Sequence, residues 1–268
     1  MSAARSMLVA FLDAHAQLAL VEVREALGST PREAGAWMLV SPTASLGTIG
    51  GGQLEFLAID KARHLLAANV ESGALSVPLG PEIGQCCGGR VEVAIAILSD
   101  TSRAELLERI QAEDGAQPAV YLFGGGHVGH ALAAALTLLP IRVTVVETRQ
   151  EALDGLVEAA TQLLTPVPEQ VVRSAPPRSA FVVLTHDHAL DFLIVAEALK
   201  RRDAAYVGMI GSKTKRATFR SWYLRETAGE PADLERLVSP IGGNALHDKR
   251  PAVIAALAAA EIAAAVLE

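Results

Sequence analysis

A glycine-rich turn between a strand and a helix constrains this chain more than any other feature. A strand is predicted over residues 119–123, residues 124–129 read GGGHVG, and a helix is predicted over residues 130–139. A further predicted strand, residues 142–147, ends at Glu147. This is the full fingerprint of a dinucleotide-binding unit, in which an acidic residue closes the second strand. It predicts a doubly wound, Rossmann-like parallel sheet.

The glycines of this turn have distinct predicted roles. Gly124 permits the tight turn, Gly126 lets a phosphate approach the backbone, and Gly129 lets helix and strand pack closely. The N-terminus of the predicted helix offers free N–H groups and a positive dipole end, and His127, within the turn, is counted as a candidate ligand contact. Glu147 is placed to accept a hydrogen bond from a ribose hydroxyl. The turn therefore predicts a phosphate-bearing ligand, with NAD(P) or another nucleotide as candidates; the alternative is a relic of the fold with an empty phosphate site.

The pattern of strands and helices separates two domains. The chain has 268 residues, of which 51% are hydrophobic, which is enough for about two packed cores. We predict an N-terminal mixed α/β domain over residues 1–99, a charged connector over residues 100–117 and a Rossmann-like domain over residues 118–268. In the last of these, strands and helices alternate, which is typical of a parallel sheet covered on both faces.

Charge and cysteine usage exclude several classes of function. The net charge of −7 argues against a nucleic-acid partner. The two cysteines are adjacent, which gives no disulfide framework and fits a reducing cytoplasm. A signal peptide is not expected, and the apolar run over residues 252–267 is too short for a membrane span and contains Glu261. We expect a cytoplasmic protein whose alanine-rich last helix could pack against a second copy.

The cysteines lie in a second distinctive loop, GQCCGG at residues 84–89. Adjacent thiols make a poor chelate for one tetrahedral zinc ion. A thiolate of Cys86 or Cys87 could instead be a soft ligand at one open metal position, or a carrier of sulfur. Gln85 is counted with them as a candidate ligand-binding residue. The alternative is two small buried hydrophobic side chains in a turn.

Three further segments carry candidate ligand contacts. Residues 50–55 read GGGQLE before a helix, so Gln53 and Glu55 could face a ligand, or Glu55 could simply complement the helix dipole. Asp187, after a predicted strand, could contact a ligand or cap the next helix. Lys213, at the start of another helix, suggests a second anion site, whose alternative is a solvated basic face.

The chain resembles the xanthine dehydrogenase accessory proteins of the XdhC/CoxI family, in particular the XdhC branch. Five motifs carry this resemblance in order, at residues 50–55, 84–89, 123–129, 185–188 and 208–213. Two departures stand out. Residues 239–251 differ from the pattern of many relatives, and Glu147 stands where many carry aspartate.

The resemblance implies a molybdenum cofactor chaperone rather than an enzyme. Such a protein binds molybdopterin, holds it while a terminal oxo ligand is exchanged for sulfido, and delivers it to xanthine dehydrogenase, an enzyme of purine catabolism. The implied partners are a cysteine desulfurase and the molybdenum-binding subunit of the dehydrogenase. On this reading the glycine turn holds the phosphate, Cys86 or Cys87 lies at the metal, and Gln53, Glu55 and Asp187 read the pterin. The rival is an NAD(P)-dependent oxidoreductase; a third reading is a nucleotide-responsive regulatory module.

Overall fold

A computed structural model describes residues 3–80, 88–243, 246 and 248–268. The chain divides into two compact units, residues 3–112 and 113–268. The predicted connector is mainly a helix, α3 (Asp100–Ala116). Its Leu106 and Ile110 are buried in a core cluster of the N-terminal unit, so most of this helix belongs to that unit.

The N-terminal unit is an antiparallel sheet with helices on both faces. Its other elements are α1 (Ala3–Ala14), β1 (Ala19–Leu27), β2 (Trp37–Val40), β3 (Ser45–Gly47), α2 (Gly52–Ala68), β4 (Ser72–Pro78) and β5 (Arg90–Ile97). The strand order is β3-β2-β1-β5-β4. Alternate residues of the strands point to opposite faces. One face packs against α2 through Leu54 and Ala58, and the other packs against α1 and α3.

The C-terminal unit is a six-stranded parallel sheet. Its elements are β6 (Ala119–Phe123), α4 (His127–Leu136), β7 (Arg142–Glu147), β8 (Thr161–Leu164), α5 (Pro168–Ser174), β9 (Ala180–Val183), α6 (His188–Lys200), β10 (Tyr206–Met209), α7 (Lys213–Glu226), β11 (Leu237–Val238) and α8 (Pro251–Val266), with short 3-10 turns at Gln150–Ala152 and Pro231–Arg236. The order β11-β10-β9-β6-β7-β8 is that of a dinucleotide-binding fold. One core cluster packs under α4 and α8, and the other under α5, α6 and α7. The predicted doubly wound sheet is confirmed.

Some predicted boundaries were wrong. The helix predicted over residues 130–139 begins three residues earlier, at His127, because the glycine turn needs only residues 124–126 before helical geometry starts. Strands β8 and β11 were not predicted. They are four and two residues long, and three of the four residues of β8 are exposed, so neither has a hydrophobic period to detect.

The alanine-rich C-terminal run is a core helix. Ala255, Ala258 and Ile262 of α8 are buried in the cluster beneath α4. Small side chains let two helices approach closely, which explains the alanine content. Within the described ranges, no helix is long and apolar enough to cross a membrane.

Candidate functional site

The candidate site lies at one edge of the parallel sheet, where the strand order reverses. Strands β6 and β9 are neighbours there, although β7 and β8 lie between them in the chain. The carboxyl ends of parallel strands share one edge, and ligands of this fold class bind in the crevice outside it. The turn at residues 124–126 follows β6, residues 185–187 follow β9, and Lys213 follows β10. The fold therefore places these predicted segments at the same edge.

Two glycines of the turn are required by the protein itself. Gly124 has φ of +122°, and a Cβ there would lie 2.7 Å from the Leu184 carbonyl oxygen. A Cβ at Gly129 would lie 2.1 Å from the Gly124 carbonyl oxygen, which shows how closely α4 packs against the turn. Both predicted structural roles are confirmed.

Gly126 differs from these two. Its φ is −80° and ψ is −175°, a conformation open to any residue. A Cβ there would meet no atom within 4 Å, and Gly126 and His127 are both exposed. Nothing within the described protein requires glycine at this position. The open space in front of the backbone is where an approaching ligand would lie.

The N-terminus of α4 is also the one left without a side-chain cap among the three helices that follow β6, β9 and β10. Asp187 caps α6, its Oδ1 accepting hydrogen bonds from the N–H groups of Ala189 (2.8 Å) and Leu190 (3.4 Å). Ser212 caps α7 by accepting from Lys215 N–H. The cap of α4 is Gly126, which has no side chain to offer. Its first N–H groups are thus left for solvent or an anion.

Glu147, the last residue of β7, reaches the glycine turn with its side chain and accepts hydrogen bonds from the protein's own backbone. Oε2 accepts the Gly125 N–H at 2.9 Å, and Oε1 accepts the N–H groups of Thr148 (2.8 Å) and Arg149 (3.2 Å). Burial by itself raises the pKa of this carboxyl, but the N–H groups of Gly125 and Thr148 and the Arg149 guanidinium outweigh it and hold the pKa below its ordinary value. The side chain is 5% exposed and lines a cavity of about 10 Å³, room for about one water molecule.

A buried ion pair beneath the site was missed by the sequence analysis. Asp191 of α6 is fully buried and pairs with Lys215 of α7, whose side chain is 9% exposed. Asp191 also accepts the N–H (3.1 Å) and hydroxyl (2.7 Å) of Thr185. The pair therefore joins both helices to the segment that follows β9. The sequence signal for this pair was the single acidic residue within the apolar stretch ALDFLIV. Lys215 is not part of a solvated basic face, which was the alternative interpretation of the start of α7.

In the N-terminal unit, Glu55 is occupied by its own glycine loop. Its Oε2 accepts the Gly51 N–H (3.1 Å), the Ile49 N–H (3.3 Å) and the Thr48 hydroxyl (2.5 Å). Residues 50–52 all have positive φ, so this loop needs glycine for its backbone geometry. Gln53 is exposed on the first turn of α2.

The base of the cysteine loop is built next to this region. Gln85, Cys86 and Cys87 lie outside the described residues. Gly88 follows them directly, and its N–H donates to Leu79 O at 2.8 Å. A Cβ at Gly89 would lie 2.4 Å from Ser29 O, and two residues on, Pro31 fills the space beside Gly50. Residues 28–31 are thus flanked on one side by Gly88 and Gly89, which follow the cysteine loop, and on the other by the 50–55 loop.

The described ranges hold no group of three or more His, Cys, Asp or Glu side chains that could bind a metal ion. Lys213 is exposed, with Arg216 and Arg220 on the same helix. Its predicted contact with an anion therefore remains a prediction, as do the ligand contacts of Gln53 and His127.

Fold and site together define a two-domain protein whose C-terminal domain is of the Rossmann type and whose helix N-terminus at the glycine turn is open. Comparison with known proteins identifies the family. The model described as the XdhC Rossmann domain matches residues 120–262, more than half of the chain, and that described as the XdhC and CoxI family matches residues 11–76. The chain belongs to the XdhC family.

Two similar proteins extend this comparison. The chain is 26% identical over 257 residues to the uncharacterized protein YqeB of Escherichia coli (strain K12). The match covers 91% of this chain but 42% of YqeB, so the chain spans less than half of that relative. A crystal structure described as a xanthine dehydrogenase from Bacillus halodurans superposes with a TM-score of 0.79, covering all of this chain and 96% of that one. At 16% identity this likeness shows a shared fold.

Proposed function

We propose that this protein binds the molybdenum cofactor in its molybdopterin form, protects it during sulfuration and delivers it to xanthine dehydrogenase. Membership in the XdhC family supports a role in the maturation of that enzyme. The observation that carries the binding step is the open space at Gly126, in front of a helix whose N-terminus has no side-chain cap.

The terminal phosphate of the cargo is assigned to the N–H groups at the start of α4. These groups supply hydrogen bonds and the positive end of the helix dipole. The Gly125 N–H is already taken by Glu147, so the phosphate would lie towards His127 and Val128. Arg149, 3.4 Å from Glu147, offsets the negative charge of that carboxylate and reduces its repulsion of the phosphate.

The molybdenum end of the cargo is assigned to the cysteine loop. A thiolate of Cys86 or Cys87 is a soft ligand for a metal with an open position. Gln85, Gln53 and Glu55 are assigned hydrogen bonds to the pterin. Support comes from the base of the loop, where Gly88 and Gly89 pack beside the segment that also borders the 50–55 loop.

The proposal also includes the partner proteins and the cellular compartment. A cysteine desulfurase would supply the sulfur, and the molybdenum-binding subunit of xanthine dehydrogenase would receive the cargo. Transfer between these partners would take place in the cytoplasm.

Retention of purified molybdenum cofactor after ultrafiltration, with metal analysis, tests this function. We expect stoichiometric molybdenum with the wild type, and loss with Gly126→Asp, which places a carboxylate at the phosphate position. Gly115→Asp is the matched control, because Gly115 is exposed and a Cβ there also meets no atom within 4 Å. Separate Cys86→Ala and Cys87→Ala variants assign the thiolate. No retention by the wild type would refute the proposal.

The rival function is an NAD(P)-dependent oxidoreductase, which the strand order and the acidic residue at the end of β7 favour. Against it, Glu147 already accepts hydrogen bonds from backbone N–H groups, and the adjoining cavity, of about 10 Å³, has room for only about one water molecule. Titration with NADH and NADPH, monitored by the fluorescence of the nucleotide, distinguishes the two functions. Saturable binding that Gly126→Asp abolishes would favour the oxidoreductase.

A further inference from the structure

A second cavity, separate from the glycine turn, lies beside the outer strand β11. Its volume is about 580 Å³, within the range of small-molecule sites. Helix α7 forms one wall, and the 3-10 turn at Pro231–Arg236 with residues 237–240 forms the other. Two strands, β9 and β10, separate β11 from β6, where the candidate cargo site lies.

The wall formed by α7 is strongly basic. Lys213, Arg216 and Arg220 line the cavity, and Glu235 is the one acidic residue in the lining. These three cations are exposed on a protein whose net charge is −7. Arg216 donates to the Ser239 carbonyl oxygen at 3.1 Å, which fixes it against the opposite wall. Such a cluster attracts a multivalent anion.

The second observation is an unpartnered hydroxyl in the same lining. Ser239 is 6% exposed, and its Oγ is buried without a hydrogen-bond partner among the described residues. An unsatisfied buried hydroxyl is costly, so a native protein that keeps one needs a reason for it. The Oγ itself is shielded from solvent, so a ligand oxygen in the cavity would supply the missing partner once the Ser239 side chain rotates towards it.

The rest of the lining is apolar. It comprises Ala217, Pro231, Leu234, Leu237 and Pro240. A free inorganic anion would leave this surface unused, whereas an apolar or aromatic body attached to a phosphate would cover it.

We infer that this cavity binds a small organic phosphate with an aromatic body, such as a nucleotide. The phosphate contacts Lys213, Arg216 and Arg220, Ser239 contacts a polar oxygen, and the ring lies on the apolar wall. The site is independent of the proposed cargo site at Gly126.

Calorimetric titration of the full chain with ADP tests this inference, with pyrophosphate and adenosine as separate probes. We expect wild-type ADP binding tighter than about 1 mM that weakens with added salt, and weaker binding of either fragment. Arg220→Ala should weaken ADP binding about tenfold or more, since it removes a charge-assisted contact. Arg225→Ala is the matched control, because Arg225 lies on the same helix, is exposed and pairs with Glu226 outside the cavity.

Two further variants complete the test. Ser239→Ala should lower ADP affinity without lowering the free energy of unfolding, because the hydroxyl has no partner to lose. Gly126→Ala should leave ADP binding unchanged. Absence of wild-type binding, unchanged affinity in Arg220→Ala, or loss of binding in Gly126→Ala would each overturn the inference. Pyrophosphate binding as tight as ADP would overturn the role of the apolar wall.

Discussion

Alanine substitutions at Gly126 and Gly129 are chemically identical and three residues apart, yet only the one at Gly129 should destabilise the protein. At Gly129 the new Cβ would lie 2.1 Å from a backbone oxygen, more than roughly 1 Å inside ordinary contact distance. Neither atom belongs to a flexible side chain, so α4 and the turn must separate. Such overpacking costs about 3 kcal/mol or more, and the gain in helix propensity returns about 1 kcal/mol. We expect Gly129→Ala to lower the free energy of unfolding by at least about 2 kcal/mol.

Gly126→Ala should leave that free energy within about 1 kcal/mol of the wild type. The backbone conformation suits alanine, the Cβ meets no atom, and the reduced freedom of the unfolded chain offsets the weaker helix cap. Cofactor retention, by contrast, should fall, because the methyl group fills the space assigned to the phosphate.

Urea unfolding measures the difference in stability between the two variants, provided that the signal comes from the C-terminal unit, which contains both glycines. The chain has two tryptophans, Trp37 in β2 and Trp222 in α7. Trp222 packs against Phe192 and Phe219, at ring distances of 5.5 and 6.0 Å, so its emission reports on that unit. In a Trp37→Phe background, Gly129→Ala should move the midpoint down by about 1 M urea. An unchanged midpoint for Gly129→Ala, or a comparable drop for Gly126→Ala, would refute the reasoning.

The remaining predictions concern carboxylates that bond to other groups of the protein. Glu147→Gln should destabilise the protein at neutral pH by about 1–3 kcal/mol; because the folded pKa of Glu147 is depressed, this difference in urea midpoint should shrink as the pH falls through that pKa. Asp191→Asn should cost about 3–5 kcal/mol by leaving Lys215 buried without its counter-charge. Replacing both residues by apolar ones should recover only part of this loss, because the Thr185 N–H then lacks its acceptor; equal loss in the double variant would argue against this. Glu55→Gln should cost about 1 kcal/mol or more in the N-terminal unit, seen by Trp37 fluorescence, and a wild-type midpoint would contradict its role in the loop.

The sequence predicts the parallel sheet well because its central strands are buried on both faces. Strands β6 and β9 read as continuous apolar runs, and the glycine turn marks the switch into a helix. The outer strands β8 and β11 are short and carry no such run, so they are recognised only in the structure, from their hydrogen bonds to β7 and β10.

The site was predictable in position but not in its internal bonds. Spacing places Glu147 at the end of β7, yet whether its carboxylate faces a ligand or the backbone depends on a turn geometry that no local pattern encodes. The same holds for Glu55. The pairing of Asp191 with Lys215 joins residues on two helices, and a single sequence carries no signal of their proximity.

Under the proposed function, the hydrogen bond from the Gly125 N–H to Glu147 affects how readily the cofactor is released. In a site with an unpartnered N–H group, the hydrogen bond from that group to the ligand adds to the free energy of binding and has to be broken when the ligand leaves. Here the Glu147 carboxylate already satisfies the Gly125 N–H, so this donor adds nothing to ligand binding, and only the open N–H groups at the start of α4 do. The free-energy gap between the loaded and unloaded states narrows accordingly. Weaker binding of the phosphate end would make dissociation of the cofactor faster, as the proposed delivery to a partner requires.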